Sequence, residues 1–162
     1  MNYSTLSGSR TEASPGDLRA IRTIKLFIAL GFGAESAFLA LALLMFPDHG
    51  PLLWRAVWTL GLCGIGMGAA AGGLTSLLAS RTRVGSPAAY LATALGGMVF
   101  YSICQTLCWG IDHQLGLNYW GSVDWPTLFL VKGYAAAISG GILGSVLLNS
   151  RWGGRLLDRT IG

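Results

Sequence analysis

The chain has 162 residues, with 11 Lys and Arg against 7 Asp and Glu, a formal net charge of +4. Hydrophobic residues make up 52% and charged residues only 11%, whereas soluble proteins carry about 25% charged residues. This balance excludes an ordinary soluble domain. The positive charge needs no nucleic acid to account for it, because membrane topology and anionic lipid give it a use.

Residues 1–25 read as a flexible tail, with Arg10, Arg19, Arg22 and Lys25 as its basic residues. The first apolar run, 26–46, is long enough to cross a ~30 Å hydrocarbon core as a helix. It exceeds the core of a cleaved signal peptide, about 7–15 residues. Near its centre stands Glu35 with no charged neighbour. A charge at the bilayer centre costs at least ~2.5 kcal/mol on insertion scales, so such residues commonly mark function. Three roles are open to it: a neutral carboxyl hydrogen-bonded to a neighbouring helix, with Ser102 one candidate partner; a group that handles protons or cations; or a contact with a partner subunit. Gly31 and Ala42 share its face, so that face is expected to abut protein.

The second run, 57–79, carries Gly64, Gly68 and Gly72 at four-residue intervals. Residues four apart share a helix face, and small ones let backbones touch. The third run, 88–111, holds Ser102, Cys104, Gln105 and Cys108. The fourth, 126–148, contains Lys132, then Gly133, Gly140, Gly141 and Gly144. Matching stripes lead to the expectation that the second and fourth helices pack together. Residues 150–162 form a short basic tail.

A rise of ~1.5 Å per residue puts Glu35 near the midplane, and Lys132, Cys63 and Gln105 about 9 Å below the outer boundary. Glu35 and Lys132 are not ready partners, since helical side chains lean toward their helix N-terminus and these two diverge. Lys132 is expected to snorkel outward or to hydrogen-bond with Gln105. Asp48-His49 and Asp112-His113 end the first and third runs. Imidazole and carboxylate together suit a metal such as Zn²⁺ or Cu²⁺, and the competing reading is solvated helix ends. Cys104 and Cys108 do not form a CxxC motif. Cys63 is placed to approach Cys104, and all three cysteines read first as packing residues. Trp54, Trp58, Trp109, Trp120 and Trp125 cluster at the outer ends as interface anchors.

Arg10, Arg19, Arg22, Lys25, Arg81, Arg83, Arg151, Arg155 and Arg159 fall in segments that an even number of spans places on one side. The positive-inside rule then makes both termini cytoplasmic. Ala29-Leu30-Gly31 before Asp48-His49 matches Ala94-Leu95-Gly96 before Asp112-His113, which suggests two related hairpins. The expectation is an all-α membrane protein of four transmembrane helices, arranged as two parallel-related hairpins (2+2). It would sit in a bacterial inner membrane as a homo-oligomer or as a subunit of a membrane complex. No nucleophile–base pair or phosphate loop points to an enzyme. The leading functional expectation is an ion or small-solute transporter or channel, with Glu35 as its carboxylate and Lys132, Gln105 and Ser102 as polar lining. The alternative is an accessory or assembly subunit.

Overall fold

A computed structural model describes residues 14–45, 47, 51–115, 126, 130, 134, 135 and 137–160. The described residues form helices and no strand: α1 (Pro15–Met45), α2 (Leu52–Ala79), α3 (Pro87–Leu115), α4 (Ala137–Asn149) and α5 (Arg151–Thr160). The first three are long and apolar enough to cross a membrane. Of the expected fourth span, 137–148 is helical within α4, while Lys132 and Gly133 lie outside the described residues.

Local chemistry sets the helix ends. Ser14 precedes Pro15, and its hydroxyl accepts a hydrogen bond from the Asp17 amide while Asp17 accepts one from the Ser14 amide. This reciprocal cap, with proline at the first helical position, starts α1 at Pro15 and not at Leu26. Residues assigned to the tail are therefore helical from 15 to 25. Ser86-Pro87 opens α3 in a similar way, with the Ala89 amide donating to the Ser86 hydroxyl. Gly85 before it takes a positive φ of 79°, a conformation that costs glycine nothing. Ser150 is extended and ends α4; its hydroxyl then accepts from the Gly153 amide and caps α5.

Helix contacts are made through glycine. A Cβ on Gly31 of α1 would lie 2.3 Å from the Gly64 carbonyl oxygen on α2. One on Gly68 would lie 2.5 Å from the Phe27 carbonyl oxygen, and one on Gly72 would lie 2.9 Å from the Ile24 Cα. On the other side, a Cβ on Gly97 of α3 would lie 2.2 Å from the Gly140 carbonyl oxygen on α4, and Gly141 faces Ala94 and Met98. The expectation that the second and fourth helices pack on each other is thus replaced. The α2 stripe lies on α1, and the α4 stripe lies on α3. The reason is proximity in the chain: each stripe meets the helix that precedes it.

Both close crossings fall where the helix widens into π turns, Val57–Gly66 in α2 and Ala137–Leu143 in α4. Helix 3 also touches α2, through Gly96 against Thr75 and Leu78. Phe27 joins the two pairs. It is 0% exposed, meets the Tyr101 ring edge-on at 6.0 Å, and lies against Gly72, Gly97 and Gly144. Nearer the basic end, Thr93, Ser145 and Asn149 form a buried knot between α3 and α4. Asn149 donates to the Thr93 hydroxyl at 2.8 Å, and the Thr93 and Ser145 hydroxyls are 2.9 Å apart.

Adding one methyl at a backbone crossing forces helices apart and typically costs about 1–3 kcal/mol. Gly97→Ala and Gly31→Ala should therefore lower the thermal midpoint in detergent. Gly73→Ala, whose Cβ would meet nothing within 4 Å, should leave it unchanged.

Candidate functional site

Glu35 is 3% exposed on the inner face of α1. Its Oε1 accepts a hydrogen bond of 3.1 Å from the indole N–H of Trp109 on α3. Trp109 is itself 2% exposed and takes the Phe38 ring edge-on at 4.4 Å. It is not the interface anchor that its position near the end of an apolar run suggests. Tyr101, two turns back on α3, lies beside Gln105 and within electrostatic reach of Glu35.

The side-chain amide of Gln105 donates to the Cys63 carbonyl oxygen on α2 at 2.8 Å. The expected bond between Gln105 and Lys132 falls outside the described residues with Lys132. The bond from Gln105 to Cys63 reaches the π-wound stretch Val57–Gly66, where helical hydrogen-bonding departs from the α pattern. Directly beside it, Cys63 and Cys108 form a disulfide with Cα atoms 5.7 Å apart. Cys104 is left as a buried free thiol, so the partner of Cys63 is one turn further along α3 than expected.

Beyond the disulfide the polar stripe continues away from the basic end. On α2 it runs Cys63, Thr59, Arg55; on α3 it runs Gln105, Cys108, Asp112. Arg55 is 1% exposed, and Thr59 and Asp112 are fully buried. With Cys63 and Cys108 pinned together, a rise of ~1.5 Å per residue brings Thr59 level with Asp112 and Arg55 about one turn beyond. Ser102 is also buried but lies to the side, on the wall of a shallow apolar groove of about 340 Å³ between α3 and α4.

Of the expected metal ligands, Asp48 and His49 lie outside the described residues. Asp112 and His113 are adjacent on α3, with Asp112 buried and His113 half-buried. Among the described residues no group of three His, Cys, Asp or Glu is placed to hold a metal ion. The site thus brings together Glu35, Trp109, Tyr101, Gln105 and the cystine, where α1, α2 and α3 meet. Trp109 and Tyr101 in the site, and Arg55 and Thr59 in the stripe beyond it, are not among the site residues that the sequence singles out. Their signal was a four-residue polar spacing: Arg55, Thr59, Cys63 on one helix and Gln105, Trp109 on another. Neither the cleft lined by Arg19 and Arg22 nor the groove beside Ser102 is lined by Glu35.

Comparison with known proteins returns no match: no protein family fits the chain, and neither a curated protein nor a solved structure is significantly similar to it. The site must be interpreted from its own geometry.

Four outcomes test that geometry. Denatured without reductant, the chain should expose one alkylatable thiol of its three cysteines, and all three after reduction. Cys63→Ser with Cys108→Ser should lose up to about 4 kcal/mol, the chain-entropy value for a closed loop of this length, where the cystine spans 45 residues. Trp109→Phe removes a donor to a buried carboxyl and should cost about 1–3 kcal/mol. In a double-mutant cycle with Glu35→Gln the two losses should be non-additive.

Proposed function

We propose that this is a small polytopic membrane protein that works through its helix faces, as an accessory or assembly subunit of a larger membrane complex or as a homo-oligomer. The observation that carries the reading is the enclosure of Glu35. The carboxyl is buried and accepts a hydrogen bond from an indole N–H inside the bundle, which links α1 to α3. A coupling carboxylate needs a path for its ion, whereas a structural one needs a partner on the next helix.

The placement in the bilayer belongs to the same proposal: four spans, a 2+2 arrangement, both termini cytoplasmic, and an inner-membrane location. Three features support it. Arg19, Arg22, Lys25, Arg81, Arg83, Arg151, Arg155 and Arg159 belong to one end of the helices. The cystine lies toward the other end, and disulfides persist in oxidising compartments outside the cytoplasm. The pairs Gly31–Gly64 and Gly97–Gly140 repeat one crossing, each on a π-wound segment.

The transporter reading keeps one specific observation in its favour. Glu35, Gln105, Thr59, Asp112 and Arg55 form a buried polar column, and ionisable residues inside membranes commonly line ion paths. In that reading Glu35 is the coupling group, and Lys132 and Gln105 line the way out.

One comparison separates them. In mild detergent the tagged protein should purify in an assembly larger than a monomer, and Glu35→Gln should preserve it. Gly61→Leu and Gly73→Leu, on faces where a Cβ meets nothing, should dissociate the assembly without lowering the thermal midpoint. A purely monomeric protein whose ion flux in vesicles is abolished by Glu35→Gln would establish transport instead.

A further inference from the structure

At the basic end of the bundle, α1, the α2–α3 turn, α4 and α5 enclose a cleft of about 490 Å³. This is within the ~300–1,000 Å³ range of sites for small organic ligands. One wall carries Arg19, Arg22 and Lys25, spaced along α1 at three-residue intervals; Ile21, Val84 and Leu157 give it an apolar lining. Basic groups along one edge and aliphatic surface below suit an anionic head attached to a hydrocarbon chain, and suit neither alone.

The cleft is also at the right level. Lys25 adjoins the first apolar run, and Arg19 is six residues further from it, roughly 9 Å along the helix. That interval covers the headgroup layer, since a bilayer of about 40–45 Å surrounds a core of ~30 Å. The turn of α5 about Ser150 lays an amphipathic helix at this level. It buries Gly153 and Leu157, exposes Trp152, and bears Arg151, Arg155 and Arg159.

Two of the basic side chains are held in position. Arg19 donates from Nη1 to the carbonyl oxygens of Ala79 and Thr82 and from Nη2 to the Thr82 hydroxyl, and its side chain lines the cleft. Arg22 pairs with Asp158 of α5. That pair is well exposed, with side chains 41% and 58% accessible, so it is a weak tie that a phosphate can compete with.

We propose that this cleft is a binding site for an anionic phospholipid. Its phosphate meets Arg22 and Lys25, and an acyl chain runs along Ile21, Val84 and Leu157. The proposal goes beyond the partner-binding reading and shares with it only the placement in a bilayer.

The test uses the full chain, delipidated in detergent, with phosphatidylglycerol, phosphatidylcholine or inorganic phosphate added. Saturating phosphatidylglycerol should raise the thermal midpoint by roughly 5–10 °C, by mass action for a ligand well above its Kd. Native mass spectrometry should show it retained one per chain. Phosphatidylcholine and inorganic phosphate should do neither. Arg22→Gln with Lys25→Gln should abolish the shift, and Val84→Trp, which fills the cleft and keeps its charge, should reduce it. Asp158→Asn distinguishes binding from bracing. It breaks the same ion pair as Arg22→Gln but removes a competing carboxylate, so the lipid shift should persist or grow.

Equal shifts from both lipids would overturn the proposal, as would a phosphate effect matching that of phosphatidylglycerol. So would an Asp158→Asn variant that loses the shift as Arg22→Gln does. Loss of assembly in the glycine variants would leave all of these outcomes unchanged, so the two readings fail separately.

Discussion

Phe27 sits in a pocket made of absent side chains, and the helix arrangement follows from that. Its backbone presses on Gly68, its Cβ faces Gly72, and its ring reaches Gly97 on α3 and Gly144 on α4. In hydrocarbon no hydrophobic force draws helices together, so van der Waals contact has to supply the attraction. A large flat ring among glycines gives many close atom pairs at once. A Cβ added to Gly68, Gly72 or Gly97 would crowd a carbonyl, the Ile24 Cα or the ring, while one on Gly144 would make ordinary contact with the ring. Four helices are located relative to one another by this one residue and its neighbours.

Above that centre the bundle changes character. The Phe27 layer is apolar, but the layer from Tyr101 to Asp112 is polar and covalently tied. Glu35, Gln105 and the cystine each join a different pair of backbones or side chains across α1, α2 and α3. Polar groups withdrawn from water are costly unless they are hydrogen-bonded, so each contact fixes a partner as well as a distance. The two layers divide the work: glycine contacts bring the helices close, and polar contacts select their register.

The sequence carried part of this. Apolar runs located α1, α2 and α3, because length and hydropathy alone decide what spans a bilayer. Ser-Pro at 14–15 and 86–87 marks where two of them begin, and α1 extends to Pro15, before the apolar run at Leu26, because helical hydrogen-bonding continues where hydrophobicity does not. The glycine stripes were legible as contact faces, but not their targets, since small residues specify closeness and not identity. Trp109 is the clearest miss. A tryptophan near a span end reads as an interface anchor, and only the fold shows that its indole points inward to Glu35. The cystine was equally hidden, because pairing depends on register between helices and not on spacing within one.

That last dependence reaches further than the site. Cys104 and Cys108 stand on successive turns of α3, and both are buried among the same helices. A slip of a single turn between α2 and α3 would present Cys104 to Cys63 in place of Cys108. The oxidised bond therefore acts as a record of alignment: Cys63 meets Cys108, and not Cys104, in the register that α2 and α3 adopt. Misaligned chains are left with a different connectivity, which makes them chemically distinguishable from correctly seated ones.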